Sequence, residues 1–153
     1  MATSTPKADL ERFIARFTPD IAALARGALT RMRKRLPTAH QLVYDNYNAL
    51  GIGFAATDRA STVIFSIVLY PRRVSLFFMQ AQPSKLEDPD GLLRGSGTVV
   101  RHVPLESAAM IDSAPIQRLI AQVLERAKVP LSAAGKGKLI IKSIAAKRRP
   151  RRL

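Results

Sequence analysis

The sequence of 153 residues contains no cysteine, which excludes disulfides, thiolate zinc sites and a thiol nucleophile. It also lacks a long hydrophobic run, since the longest, residues 63–70, is interrupted by Ser66 and is far shorter than the ~20 residues of a membrane-spanning helix. Residues 1–16 mix acidic and basic side chains and hold no apolar stretch of the kind found in a secretory signal. We therefore expect a cytoplasmic protein without a membrane partner.

Acidic residues are few and unevenly placed. The chain has 25 Lys and Arg against 11 Asp and Glu, a formal net charge of +14. Ten of the basic residues follow Glu125, after which no acidic residue occurs, whereas the first 125 residues carry 15 basic and 11 acidic residues. The excess charge therefore belongs to the C-terminal segment and predicts an acidic partner, of which nucleic acid is one. The alternative is a segment that only increases solubility.

Composition and periodicity indicate one α+β domain. Hydrophobic residues make up 47% and charged residues 24% of the chain, as in ordinary globular domains. Helical spacing of apolar residues occurs in residues 7–17, from Thr18-Pro19-Asp20 to just before Pro37, and from a cap at Asp112 or Ser113 to Pro130. Strand composition occurs in residues 42–47, 49–56, 62–70, 74–79, 98–103 and 138–144. This order predicts a mostly antiparallel sheet flanked by helices.

The predicted division of the chain is a flexible N-terminus at residues 1–6, the α+β domain at 7–144 and a basic C-terminal tail at 145–153. Residues 62–70 are apolar on both alternating faces, so we expect a central strand covered by helices. The residues predicted to bind an acidic partner are Lys142, Lys147, Arg148, Arg149, Arg151 and Arg152. Removal of the chain after Ile144 is expected to weaken that binding and leave the fold intact.

The sequence holds no motif that requires catalysis or a cofactor. No serine stands in a G-x-S-x-G pattern. The run Gly51-Ile52-Gly53-Phe54-Ala55-Ala56 matches the letters of a dinucleotide-binding loop, but a strand rather than a helix is expected after it. We predict no enzyme activity and no cofactor, and we interpret the two glycines as relieving crowding in a strand or forming a bulge.

One polar constellation suggests a small-molecule pocket. Tyr44, Asn46 and Asn48 share one face of a predicted strand because side chains alternate along it. If Arg101 lies on a nearby strand with the same orientation, these four residues would orient a ligand that carries a carboxylate or a planar group. The alternative is a hydrogen-bonded network that only fixes the register of the sheet.

Several segments resemble the YdhG-like family of small bacterial domains of unknown function. They are residues 42–50, 65–72 and 76–78, the loop segment 86–93 with Gly95-Ser96-Gly97, residues 100–102, and residues 142–151 at the end of the chain. The resemblance covers roughly residues 8–152. It implies an α+β domain similar to the frataxin-like and YjbR-like folds.

The same resemblance implies two further functions. Some relatives are described as frataxin-like iron chaperones, which would place metal ligands at Glu87, Asp88, Asp90 and His102. The YjbR-like relatives imply DNA binding, which agrees better with the basic C-terminal segment. An acidic partner is therefore the first prediction, and a metal site or a small-molecule pocket is the alternative.

Overall fold

The computed structural model describes residues 4–82 and 85–153. In these residues it has three α-helices: α1 (Pro6–Ala15), α2 (Pro19–Arg35) and α3 (Ala114–Glu125). The strands of its sheet are β1 (His40–Asp45), β2 (Leu50–Ala55), β3 (Val63–Tyr70), β4 (Arg73–Phe78), β5 (Arg101–Leu105) and β6 (Leu139–Ile144). The predicted α+β class is confirmed.

Local signals set the ends of the helices. The Thr5 hydroxyl accepts a hydrogen bond from the Ala8 amide at 3.1 Å, so α1 begins one residue earlier than predicted, and residues 1–3 of the predicted flexible N-terminus lie outside the described residues. The second helix begins at Pro19 and ends ahead of Pro37 as predicted. The third ends at Glu125, earlier than the predicted stop. Within the described ranges, no helix is long and apolar enough to cross a membrane.

The six strands form one sheet in the order β5-β4-β3-β2-β1-β6. Neighbouring strands are antiparallel except for β1 and β6, which are parallel, so the prediction of a mostly antiparallel sheet is confirmed. Because β6 pairs beside β1, the chain that follows Ile144 leaves the sheet at the end where β1 reaches Asp45. This pairing decides where the C-terminal segment lies.

The helices cover one face of the sheet. Apolar side chains of α1, α2 and α3 form the main core with strand residues such as Val43, Ile52, Ile67 and Leu76. The opposite face carries a small cluster of Leu42, Ala55 and Val63, to which none of the described helices contributes. The expectation that helices cover the strand at 62–70 is therefore correct for one face only. We call the face without described helices the open face. After the register shift opposite Val63, β3 places three half-buried side chains on it, namely Ser66, Val68 and Tyr70.

The two glycines of β2 lie on the open face and differ in their surroundings. A Cβ at Gly53 would lie 2.9 Å from a methyl group of Val63, so this glycine relieves crowding, in line with the sequence interpretation. A Cβ at Gly51 would meet no atom within 4 Å. The space above Gly51 is therefore open.

Candidate functional site

A buried carboxylate lies at the end of β1. Asp45 is 1% exposed, and it accepts hydrogen bonds from guanidinium groups of Arg148 and Arg151, the latter at 2.9 Å. Arg16, the residue that ends α1, approaches the same carboxylate at 3.4 Å. A carboxylate in this environment requires cationic partners because an unpaired buried charge is very unfavourable.

Arg151 is buried against the turn between β1 and β2. It is 5% exposed, and besides Asp45 it donates hydrogen bonds to the carbonyls of Asn46 at 2.6 Å and Tyr47 at 3.3 Å. Its guanidinium also lies 5.5 Å from the centre of the Phe17 ring. Residues 145–153, the basic C-terminal tail, therefore pack against the domain. The expectation that the fold tolerates their removal does not agree with these contacts.

The remaining arginines of the segment are fixed at its edges. Arg152 donates to the carbonyls of Arg16 at 3.1 Å and Ala15 at 3.2 Å, which satisfies acceptors at the end of α1. The backbone amide of Arg149 donates to Tyr47 O at 2.9 Å, and its guanidinium lies 5.7 Å from the centre of the Tyr47 ring. The segment is thus attached at both the helix and the strand turn.

These residues enclose a depression of about 380 Å³, which we call the arginine pocket. It is lined by Arg16, Arg148, Arg149, Pro150, Arg151 and Arg152. Three of the five arginines, Arg16, Arg148 and Arg151, form ion pairs with Asp45, and no other carboxylate among residues 4–82 and 85–153 pairs with any of the five. The pocket therefore carries four positive charges in excess of its carboxylate, and the Nε–H of Arg151, which is buried, donates to none of the described groups.

The open face of the sheet holds a second depression, the sheet groove. Its volume is about 680 Å³, and its lining includes Tyr44, Tyr47, Gly51, Ser66, Val68, Tyr70, Phe77 and Met79. Asn46 and Asn48, on the turn after β1, also line it. An intermediate depression of about 780 Å³, lined by Tyr47, Asn48, Tyr70, Arg149 and Pro150 among others, shares residues with both the arginine pocket and the sheet groove. The two sites are therefore parts of one continuous surface.

Two titratable groups of the open face have perturbed pKa values. Burial raises the pKa of Tyr44, and the Tyr44 hydroxyl is a buried polar group that hydrogen-bonds to none of the described residues. Burial, and then the charges of Arg73 and Arg94, lower the pKa of His102, which stacks on Phe77 with ring centres 4.9 Å apart. His102 is therefore neutral at pH 7, and the positive charge near the groove comes from arginines.

The structure brings together three of the four residues predicted to form a small-molecule pocket. Tyr44, Asn46 and Asn48 line the sheet groove, but Arg101 does not. Arg101 lies on β5, which β4, β3 and β2 separate from β1, and it pairs with the core residue Phe78. Because directly paired residues point to the same face, Arg101 lies on the helix side of the sheet and not on the side of Tyr44.

The four residues suggested as metal ligands have separate roles. The carboxylate of Asp88 accepts hydrogen bonds from the amides of Leu92 and Leu93, and the backbone of Glu87 exchanges hydrogen bonds with the Gln122 side chain. Asp90 lies 3.9 Å from Arg118. No group of three or more potential metal-ligating side chains occurs within the described ranges.

Comparison of the chain with protein-family models, with curated proteins and with solved structures finds no match. The resemblance to the YdhG-like family stays a prediction.

The six basic residues predicted to bind an acidic partner divide into two groups. Arg148 and Arg151 hold Asp45, whereas Lys142, Lys147, Arg149 and Arg152 are exposed. The sequence interpretation did not include Arg16 and Asp45. Asp45 offered a signal, because a carboxylate that follows Leu42-Val43-Tyr44 in a strand is unusual and needs a cation when it is buried.

Proposed function

We propose that this protein binds the phosphate groups of nucleic acid at the arginine pocket. The observation that carries the proposal is the grouping of five arginines around one depression with a single carboxylate among them. Guanidinium groups bind phosphate oxygens through paired, charge-assisted hydrogen bonds. The function therefore belongs to a folded site of defined geometry, and a flexible tail is not needed for it.

The arginines of the pocket have two different roles, and this difference supports the proposal. Asp45 engages Arg16, Arg148 and Arg151 and holds them near one another. Arg149 and Arg152 keep their charge without an ion pair among residues 4–82 and 85–153, since Arg152 contacts only carbonyls and Arg149 faces the Tyr47 ring. These two side chains, with the exposed Lys147, supply positive charge that an incoming phosphate can neutralise.

Fluorescence anisotropy with labelled duplex DNA at about 50 and 200 mM salt tests the proposal. The wild-type protein is expected to bind with an affinity that falls steeply with salt, because neutralised phosphates release counterions. The triple variant Lys147→Gln/Arg149→Gln/Arg152→Gln leaves the partners of Asp45 in place. It is expected to bind more weakly and to lower the slope of log affinity against log salt by roughly 2 to 3.

A second triple variant separates a local site from the general charge of the protein. Arg118→Gln/Arg126→Gln/Lys128→Gln removes the same charge from exposed positions outside the arginine pocket. It should lower the slope much less than the pocket variant. Equal effects of the two variants, or no binding at low salt, would contradict the proposal.

A further inference from the structure

We propose that the sheet groove holds unpaired bases, so that the arginine pocket binds single-stranded nucleic acid in preference to duplex. This inference rests on the proposed function and specifies its substrate. The arginine pocket lies at the end of the sheet where β1 meets its turn, and the sheet groove starts on the other side of that turn and runs along the open face to Met79. The intermediate depression joins them through Arg149 and Pro150 on one side and Tyr47, Asn48 and Tyr70 on the other.

The order of side chains along this surface matches the order of groups in a nucleotide. Arginines at one end bind phosphate, and the aromatic rings of Tyr47, Tyr70 and Phe77 follow within the groove. Aromatic side chains bind unpaired bases by stacking, and amides hydrogen-bond to base edges. The amides of Asn46 and Asn48 line the same groove, and both residues are exposed.

Cations lie beside two of the rings. The Arg73 guanidinium lies 4.3 Å from the centre of the Tyr70 ring, and Arg149 lies 5.7 Å from that of Tyr47. Each of these two rings lines the groove and has a positive charge beside it that can meet a phosphate. A purely apolar ligand would gain nothing from these charges, so the groove favours an anionic strand that carries planar groups.

Gly51 and Tyr44 extend the groove between these rings. The space above Gly51 is empty to 4 Å, and the Tyr44 hydroxyl lacks a partner among the described residues. Bases in a duplex are stacked and paired inside the helix, so only an unpaired base can enter.

Fluorescence anisotropy with three labelled probes of about 15 nucleotides tests the inference: a thymine strand, the same strand without bases, and a duplex. The base-free strand has the same number of phosphates as the thymine strand. We expect the thymine strand to bind at least roughly fivefold more tightly than the base-free strand, since stacking on aromatic side chains supplies that difference. Because the duplex carries about twice as many phosphates, its affinity is compared only between protein variants, and changes in the groove should leave it unaltered.

Gly51→Val fills the groove and keeps the arginine pocket unchanged. Valine suits a strand, and its Cβ meets no atom, so the fold is expected to persist. The variant should bind the thymine strand no better than the base-free strand. Pro104→Val, at an exposed position of β5 outside the groove, is the control and should keep the wild-type preference.

Tyr47→Ala provides a second test because Tyr47 is 50% exposed and its removal leaves the core intact. It should reduce the preference for the thymine strand, whereas Tyr47→Phe should retain it. Equal affinity of the wild-type protein for the thymine and base-free strands, or an unchanged preference in Gly51→Val, would overturn the inference while leaving phosphate binding intact. Absence of binding to all three probes would overturn the proposed function itself.

Discussion

Within the described ranges, Asp45 and Asp112 are the two carboxylates that pair with more than one arginine, and they lie in opposite surroundings. Asp45 is 1% exposed and is shared by arginines from α1 and from the C-terminal segment. The Asp112 side chain is 45% exposed and accepts hydrogen bonds from Arg31 and Arg35 of α2, each at 2.9 Å. The first group joins the end of the chain to the sheet, and the second joins α2 to the 3-10 segment Ala108–Asp112 before α3.

The difference lies in what happens when one partner is removed. At Asp112, water replaces a lost arginine, so the pair contributes little to folding. At Asp45, which is 1% exposed, water cannot replace a lost arginine, so the buried charge is left with fewer cations than it needs. The same residue types therefore form a surface contact in one place and a structural requirement in the other. Burial, and not the number of ion pairs, decides between them.

The largest expected effect comes from ending the chain after Ile144. This removes Arg148 and Arg151 and leaves Asp45 with Arg16 alone at 3.4 Å. We expect the free energy of unfolding to fall by about 3 to 5 kcal/mol, the usual effect of breaking a buried ion pair. Urea unfolding followed by circular dichroism measures it.

A chain that ends after Arg151 is the matched control. It lacks Arg152, which contacts only carbonyls, and Leu153, which is 78% exposed. Its unfolding midpoint should stay close to that of the full chain. If the chain that ends after Ile144 were equally stable, the C-terminal segment would be dispensable for folding and the comparison between the two carboxylates would fail.

A double-mutant cycle gives the next largest effect. Asp45→Asn and Arg151→Gln should each lower the free energy of unfolding. The double variant should lose less than the sum of the two single losses, because neither buried charge is then left without its partner. A coupling free energy of roughly 1 to 3 kcal/mol is expected at this buried pair. The corresponding cycle of Asp112→Asn and Arg35→Gln should show a distinctly smaller coupling. Equal couplings at the two sites would contradict the role given to burial.

Much of the fold could be predicted because its signals are local. The apolar spacing and the Thr18-Pro19-Asp20 start predicted α2, and the turn at Pro71-Arg72 between two hydrophobic runs predicted the β3–β4 pair. The antiparallel character of most of the sheet followed from the order of these elements. The start of α1 at Pro6 differs by one residue from the predicted start, because the geometry of the helix cap sets the first residue and composition does not determine that geometry.

The site could be predicted only in part because its contacts are distant in sequence. Arg148 and Arg151 lie 103 and 106 residues from Asp45, and no spacing rule relates them. The condition placed on Arg101, a nearby strand with the orientation of Tyr44, could not be checked from the sequence, because the position of β5 at the sheet edge and the register of its pairing with β4 decide its orientation. The sequence identified the charge of the C-terminal segment, but only the packing shows that this charge belongs to a folded pocket.

The smallest expected effect concerns the exposed carboxylate, Asp112, and how its contribution to the stability of the fold depends on pH. The hydrogen bond from Arg35, followed by that from Arg31 and the charges of both, holds the pKa of Asp112 below its ordinary value of 3.8. The folded carboxyl thus releases its proton more readily than the unfolded one. Its contribution to stability is present above the ordinary pKa and is lost as pH falls through that value toward the folded pKa.

Asp112→Asn should therefore lower the stability of the protein slightly at pH 6, and the difference from wild type should shrink at about pH 3, where the carboxyl of the unfolded chain is mostly protonated. Salt at about 1 M should shrink it at pH 6 as well, because exposed charges are screened. Urea unfolding at both pH values measures the difference. Asp58→Asn, which removes a carboxylate that forms no ion pair among residues 4–82 and 85–153, should show neither trend. A pH-independent loss in Asp112→Asn would mean that its side chain stabilises the fold through shape and hydrogen bonding, and that its charge contributes nothing even at the surface.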